Sequence, residues 1–389
     1  MKKILVMFPR WGYVSGADTY VASLLKELRE RGYEVHFLTD EKYKDDAPPL
    51  PGVSFHHAPS IRSTAIDVRK AYPSVRSIIE DISPDIVHIH DFMQLFLYSS
   101  VFEQGEHHVV ITIHSTPGGN GAEYKLFNWI KGLDNQKRFL AILLKRVAPS
   151  AIICGSEYYR REYSREVPET TQHPFYVNHY YTSIPGITPA ERSALDGKRK
   201  ANGRFNILFP SRPVKRKGIE EALRALAALP DSYSMSIPAF TQYEGDEDYR
   251  EHLDKMIKTL GVSNRLSYPE GLVRVEDMPA YYMDADCVLI PSHFEGFGIV
   301  GVEALDFCCP VVSTFTGGLG EIFEDGISGL RMDLADSPEN VAELIVRTTV
   351  DTALRHKLIE NGKRNVQEKF SVKRHMDEID RIYKGILSD

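Results

Sequence analysis

The chain has 389 residues, which is more than one ordinary hydrophobic core accommodates and fits two domains. Its 42% apolar and 26% charged residues are typical of a globular protein, and its formal net charge of −7 argues against a nucleic-acid partner. Its four cysteines form no spaced metal cluster and favour a reducing cytoplasm, and no apolar run is long enough to span a bilayer.

The first half of the sequence alternates strand-like and helix-like segments. Lys3–Phe8 is an apolar run typical of a buried strand, and Ala17–Arg31 carries apolar residues at helical spacing. Gly32 ends that helix, and Glu34–Thr39 predicts the next strand. Further short strands are predicted at Ile86–His90, Val109–His114 and Ala151–Cys154. Strands that alternate with helices predict a parallel α/β sheet.

The second half repeats this alternation after a segment rich in Pro, Gly and charge. Residues 185–204 have the composition of a linker, and Phe205–Pro210 then predicts a new first strand. Helices are then predicted at Ile219–Ala228, Tyr249–Leu260 and Val275–Met283. They alternate with strands predicted at Ser234–Pro238, Arg265–Tyr268 and Cys287–Pro291. We therefore expect one domain over 1–190, a second over 200–371, and an amphipathic C-terminal helix, 372–389, that packs back on the first.

The stretch from His293 to Glu303 is the most informative local pattern. A Gly-rich bend follows a predicted strand and leads into a helix, so free backbone N–H groups gather at the positive end of the helix dipole. Glu295 and Glu303 would repel a phosphate but can accept hydrogen bonds from sugar and ribose hydroxyls. The pattern predicts a site for a nucleotide sugar.

Several motifs in a fixed order carry a resemblance that covers nearly the whole chain. They are Ser15-Gly16-Ala-Asp18, Pro84-Asp-Ile-Val-His-Ile-His90, Ile113-His114, Arg212…Lys217-Gly218, Glu295…Glu303, Pro310-Val-Val312 and Gly317-Gly318…Glu321. With them the sequence resembles the retaining glycosyltransferases of family 4. The resemblance implies the GT-B fold, an α/β architecture of two facing Rossmann-like domains with parallel sheets and an interdomain cleft.

The resemblance also implies roles for individual residues. Gly16 would bring its backbone close to the donor, and His114 would contact the donor sugar near the reacting centre. Arg212 and Lys217 would neutralise the departing diphosphate. Glu295 would bind sugar hydroxyls, the N–H groups of Phe297, Gly298 and Ile299 would contact sugar and phosphate, and Glu303 would bind the ribose. Of these residues, His114, Arg212, Lys217 and Glu295 are the candidates for catalysis.

The sequence departs from the family pattern at three places. Ser15 replaces the first glycine of the N-terminal pair, and Phe307-Cys-Cys-Pro310 lacks the glycine expected before the proline. The common Asn-Gly turn near the end of the first domain is absent, and Tyr180-Tyr-Thr-Ser-Ile-Pro185 occupies that region.

The expected activity is retaining sugar transfer from a nucleoside-diphosphate sugar, with uridine or guanosine as base, to a hydroxyl of a glycan, a lipid-linked glycan or a small molecule. No cofactor and no metal are expected, because Arg212 and Lys217 supply the positive charge. A nucleotide-sugar epimerase on the same fold and a non-catalytic nucleotide-sugar-binding protein remain as alternatives.

A basic amphipathic segment, Lys125–Arg146, bears on localisation. It combines large apolar residues with Lys and Arg, so it could dock on an anionic membrane or pack on its own domain. We expect a cytoplasmic protein with possible peripheral contact to the membrane.

Overall fold

The computed structural model describes residues 1–11, 16–44, 49–59, 65–90, 92–102, 104–115, 133–200, 203–240, 247–271 and 273–388. The chain divides into two compact units. Unit 1 comprises Met1–Ser183 and Val372–Asp389, and unit 2 comprises Ile184–Ser371. The chain thus passes into unit 2 a few residues before the boundary expected at residue 190.

Unit 1 is built around one parallel sheet. Its elements are β1 (Lys3–Met7), α1 (Gly16–Glu30), β2 (Glu34–Asp40), β3 (Val53–Ala58), α2 (Ala65–Ile82), β4 (Ile86–Ile89), α3 (Phe92–Val101), β5 (His108–Ile113), α4 (Leu133–Val147), β6 (Ala151–Cys154), α5 (Glu157–Glu166) and β7 (Phe175–Val177). The strand order is β3-β2-β1-β4-β5-β6-β7, with every described pairing parallel. The strands β4 and β6 are buried along their whole length, including His88 within β4.

Unit 2 repeats the plan with a smaller sheet. Its elements are α6 (Pro189–Lys200), β8 (Phe205–Leu208), α7 (Ile219–Ala228), β9 (Tyr233–Ser236), α8 (Glu247–Leu260), β10 (Leu266–Ser267), α9 (Met278–Asp284), β11 (Cys287–Ile290), α10 (Ile299–Asp306), β12 (Val311–Ser313), α11 (Leu319–Ile322), β13 (Leu330–Arg331), α12 (Pro338–Val350) and α13 (Thr352–Lys369). The strand order is β10-β9-β8-β11-β12-β13, again parallel. The order reverses between β8 and β11.

The prediction of a linker over residues 185–204 is wrong, because α6 lies there and packs into unit 2. Arg192 of α6 is fully buried and donates to the carbonyl of Tyr282 at 3.1 Å. Asp196, one turn later, receives two hydrogen bonds from Arg355 at 2.7 and 2.9 Å. Two charges of this segment, Arg192 and Asp196, are thus buried and paired inside the unit, which composition alone does not reveal.

The C-terminal helix α14 (Val372–Ser388) packs in unit 1, far in sequence from its neighbours there. It buries its apolar face, and the hydroxyl of its Tyr383 lies 2.6 Å from Nδ1 of His88. Asn178 donates to the carbonyl of His375 at 3.0 Å, and Asp380 pairs with Arg31 at 2.9 Å. These contacts tie both ends of the chain into one unit.

The basic segment predicted over 125–146 lies partly outside the described residues, which resume at Leu133. Its described part forms α4, and Leu140, Leu143 and Leu144 of that helix are buried in unit 1. None of the helices in the described ranges is long and apolar enough to cross a membrane. Peripheral membrane contact stays a prediction.

Candidate functional site

The predicted donor-binding residues of unit 2 lie on loops that follow two adjacent strands. Arg212 and Lys217 come after β8, and Glu295 comes after β11, the strand hydrogen-bonded beside it. In a parallel sheet the carboxyl ends of neighbouring strands share one edge, and ligands bind where the strand order reverses. Unit 2 therefore places the predicted residues at the position where its sheet offers a binding crevice.

Gly218 allows the loop after β8 to lie against the end of β11. Its backbone is left-handed, with φ +74°, and a Cβ there would lie 1.9 Å from the carbonyl oxygen of Pro291. Any side chain would force the two loops apart. The loop is tied further by the N–H of His293, which donates to the carbonyl of Arg216 at 2.9 Å.

This close approach brings Lys217 and Glu295 into a buried ion pair. The lysine Nζ donates to Oε1 of Glu295, and Oγ of Ser292 lies 3.3 Å from the same oxygen. The two charged side chains are only 15% and 8% exposed. Burial lowers the pKa of Lys217, and the charge of Glu295 opposes that shift. The arrangement concentrates one positive and one negative group in a poorly solvated place.

The bend after Glu295 is fixed by glycines. The N–H of Gly318 donates to the carbonyl of Glu295 at 3.0 Å. Gly298 adopts φ +91° at the start of α10, and a Cβ there would lie 2.4 Å from Cδ2 of Leu319. The N-cap residue of α10 is Gly298, which makes no side-chain capping hydrogen bond. Among the described residues the helix thus begins without the side-chain cap that helix starts usually have, which makes its N-terminus suited to an anion.

Glu303 lies in the second turn of α10 and is held by a buried tyrosine. The hydroxyl of Tyr282 donates to Oε2 of Glu303 at 2.7 Å. The Tyr282 ring is fully buried and stacks on Phe307 with 5.3 Å between ring centroids. Burial raises the pKa of Glu303 to about 7, and the hydrogen bond from Tyr282 opposes the shift. The carboxyl is therefore oriented and close to half-ionised near neutral pH.

Two further predicted residues complete this edge of the sheet. Phe297 is buried, and its ring packs edge-on against Phe370 at 5.9 Å, which anchors the bend. Arg212 is half-buried on the loop that also carries Lys217, and its charge adds to the lowering of the Lys217 pKa. Unit 2 thus assembles the whole predicted donor-binding set except the residues of unit 1.

The two predicted residues of unit 1 also follow strands of their sheet. Gly16 is the first residue of α1, and the preceding residues 12–15 lie outside the described ranges. His114 directly follows β5, with Nε2 3.0 Å from Nδ1 of His90 and Nδ1 3.1 Å from the hydroxyl of Tyr180. Burial, then the charge of Arg10, lowers the pKa of His114 to about 3. The imidazole is neutral at physiological pH.

Four residues that touch the predicted set were missed by sequence reasoning: Ser292, Tyr282, His90 and Tyr180. Tyr282 contacts Glu303 from twenty-one residues earlier in the chain, which no spacing rule predicts, whereas Ser292 lies three residues before Glu295 at a Ser-x-x-Glu spacing that could have indicated it. His90 ends a motif that carries the resemblance, and Tyr180 lies in the segment that departs from the family pattern, but neither position predicts a contact with His114. Within the described ranges, no group of three or more His, Cys, Asp or Glu residues could hold a metal ion.

Comparison with known families identifies the class of protein. Residues 14–173 match the model of Glycosyltransferase Family 4, and residues 192–365 match that of Glycosyl transferases group 1. Two parallel α/β units with these matches define a glycosyltransferase of the GT-B fold. The chain belongs to the group 1, family 4-like glycosyltransferases, which confirms the family and the fold predicted from the sequence.

Two distant relatives match over nearly the whole chain. The chain is 26% identical over 397 residues to an uncharacterized glycosyltransferase of Methanocaldococcus jannaschii, covering 96% of both chains. It is 26% identical over 413 residues to a D-inositol 3-phosphate glycosyltransferase of Geodermatophilus obscurus, covering 98% of this chain and 87% of the other.

Solved structures show the same fold. Sucrose-phosphate synthase from Thermosynechococcus elongatus superposes with a TM-score of 0.81 at 17% identity, covering 100% of both chains. HepE from Anabaena in complex with UDP-glucose gives a TM-score of 0.77 at 18% identity, covering 99% of this chain and 100% of the other.

Proposed function

We propose that this glycosyltransferase moves a sugar from a nucleoside-diphosphate donor to a hydroxyl acceptor with retention of anomeric configuration. The observation that carries the proposal is the buried Lys217–Glu295 pair beside the uncapped start of α10. A diphosphate needs positive charge and N–H donors, whereas a sugar needs hydroxyl acceptors. One edge of the unit-2 sheet offers both.

Different groups along this edge would bind the charged and the neutral parts of the donor. Its diphosphate would face the start of α10, Arg212 and Lys217, where the negative charge that develops on the leaving group is stabilised. Glu295 would accept from sugar hydroxyls. Glu303, oriented by Tyr282 at 2.7 Å, would accept from the ribose.

The base we favour is uridine, with guanosine as the second choice. The Anabaena HepE complex with UDP-glucose supports uridine, because that chain shares this fold over its full length. The acceptor is a hydroxyl of a glycan, a lipid-linked glycan or a small molecule.

The chemistry we propose uses the leaving group as the base. The bond from the anomeric carbon to the diphosphate oxygen breaks, and the acceptor oxygen bonds to the same face of the sugar. The acceptor proton passes to the departing diphosphate. Catalysis is then mainly positioning and electrostatic stabilisation. His114 is neutral, so it would act as a hydrogen-bonding partner of the sugar rather than as a proton donor.

Two measurements test the proposal. A thermal-shift screen against nucleoside diphosphates and their sugars should give stabilisation by one base above the others. With that donor and a panel of acceptors, NMR of the product should show the anomeric configuration of the donor, and turnover should survive a chelator. An inverted anomer would overturn retention, and loss of turnover with the chelator would overturn metal independence.

The same screen separates the alternatives. A rearranged nucleotide sugar formed from donor alone would indicate an epimerase. Donor binding without transfer or hydrolysis across the panel would indicate a binding protein.

A further inference from the structure

The residues around His114 form a chain of hydrogen bonds. The carbonyl oxygen of Ile113, which can only accept, determines which atom donates in each bond of that chain. The hydroxyl of Tyr180 lies 2.7 Å from the carbonyl oxygen of Ile113 and 3.1 Å from Nδ1 of His114. A carbonyl oxygen only accepts, and a phenol has a single proton. The shorter contact takes that proton, so the phenol oxygen accepts from His114, and the His114 proton lies on Nδ1.

The tautomer of His114 in turn determines which ring nitrogen of His90 carries the proton. A neutral imidazole with its proton on Nδ1 has a lone pair on Nε2, and Nδ1 of His90 lies 3.0 Å from that atom. His90 must therefore donate from Nδ1. Burial also lowers the pKa of His90 well below its usual value, which leaves its own Nε2 unprotonated. That Nε2 is buried without a hydrogen-bond partner among the described residues.

The ring of Tyr180 is held in place on several sides. A Cβ on Gly155, directly after β6, would lie 2.4 Å from Cε2 of Tyr180, so the glycine leaves room for the ring. Tyr180 packs on Tyr20 with 4.8 Å between centroids and stacks on His114 at 5.4 Å. Its side chain is almost fully buried. The packing of the ring therefore holds the Tyr180 hydroxyl within hydrogen-bond distance of both the Ile113 carbonyl oxygen and Nδ1 of His114.

We propose that Tyr180 is a positioning residue that fixes His114 in the tautomer with its proton on Nδ1, so that Nε2 faces ligands only as an acceptor. This rests on the proposed function, in which His114 contacts the donor sugar. A sugar hydroxyl at His114 must then donate its proton to Nε2, sharing or replacing the bond from His90. Tyr180 lies in the segment Tyr180–Pro185 that departs from the family pattern.

The test compares Tyr180→Phe with Tyr181→Phe. Phenylalanine keeps the ring volume and removes only the hydroxyl. Tyr181 is an equally buried neighbour whose hydroxyl donates to Oγ of Ser23 at 2.9 Å, away from His114. Unfolding midpoints of both variants show whether the fold is kept. Protein labelled with ¹⁵N-histidine gives the protonated ring nitrogen directly, and loss of a signal in His114→Gln assigns the resonance.

In the wild type and in Tyr181→Phe we expect His114 to carry its proton on Nδ1. In Tyr180→Phe that signature should be lost, and kcat should fall about tenfold with KM for the donor within about twofold. A wild-type proton on Nε2, an unchanged tautomer in Tyr180→Phe, or an unchanged kcat would each overturn the inference. If no nucleotide sugar is turned over, the proposed function fails, and the tautomer measurement still decides whether Tyr180 fixes His114.

Discussion

Replacing Glu303 by Gln should weaken donor binding and abolish its pH dependence. The change keeps the size of the side chain and a carbonyl acceptor but removes the charge. In the structure Tyr282 donates to Oε2 at 2.7 Å, which leaves Oε1 for a second donor such as a ribose hydroxyl. A hydrogen bond to a charged group contributes about 1.5–3 kcal/mol, so the affinity for the donor should fall about 10- to 100-fold.

The pH dependence follows from the raised pKa of Glu303, about 7. If the carboxylate is the form that binds ribose, the binding-competent fraction falls roughly tenfold between pH 8 and pH 6. Donor affinity should fall by the same factor in the wild type and stay flat in Glu303→Gln. The stability of the ligand-free protein should change with pH in the opposite direction to donor affinity. A carboxyl group whose pKa is raised by folding favours the folded state at low pH, where it is protonated. That contribution is lost as the pH rises through 7, so Glu303→Gln should gain stability relative to the wild type at pH 8 and little at pH 5.

The assay is calorimetric titration with the intact nucleotide sugar that the thermal-shift screen selects. Free nucleoside diphosphate is unsuitable, because a terminal phosphate itself titrates near pH 6. Glu360→Gln, which removes an exposed carboxylate from α13, controls for the change in net charge. Wild-type affinity that is constant from pH 6 to 8, or full affinity in Glu303→Gln, would refute the role given to this residue.

Three further changes test the other supports of the site. Lys217→Met should lower kcat at least tenfold in a transfer assay, since it removes charge stabilisation from the leaving diphosphate and leaves Glu295 buried without its cation; unchanged kcat would contradict this. Gly218→Ala should unfold at lower temperature and lose donor binding, because its Cβ would meet the Pro291 carbonyl at 1.9 Å; a variant with wild-type melting and binding would show that the loops separate freely. Arg355→Met should destabilise the protein by about 3 kcal/mol in denaturant unfolding, since it breaks the buried pair with Asp196, whereas the exposed Arg364→Met should change stability by less than about 0.5 kcal/mol. Equal stability of these two variants would refute the importance of the buried pair.

Much of the fold followed from hydrophobic pattern. Helix Ile219–Ala228 and strand Ala151–Cys154 have the predicted bounds, because a strong periodicity or a short β-branched run specifies each locally. The helix α6 did not follow, since its charged residues resemble a linker until Arg355 and the carbonyl of Tyr282 are placed beside them. Local composition cannot distinguish a charge in water from a charge paired inside the protein.

The candidate site shows the same division. The local pattern of strand, Gly-rich bend and helix predicted Glu295 and Glu303 as hydroxyl acceptors, whereas Lys217 was a candidate only through the resemblance to the family. Their electrostatic state was not predictable. The pKa of about 7 for Glu303 comes from burial opposed by a tyrosine twenty-one residues earlier in the chain.

The sequence by itself determined the class of this protein and the candidate donor-binding residues, because the order and spacing of motifs along the chain can be read without the fold. The tertiary structure decided how those residues are charged and oriented. It buried Lys217 against Glu295, and it fixed the proton of His114 through Tyr180, sixty-six residues away in the chain. Such states depend on desolvation and on contacts between distant segments, which exist only after folding.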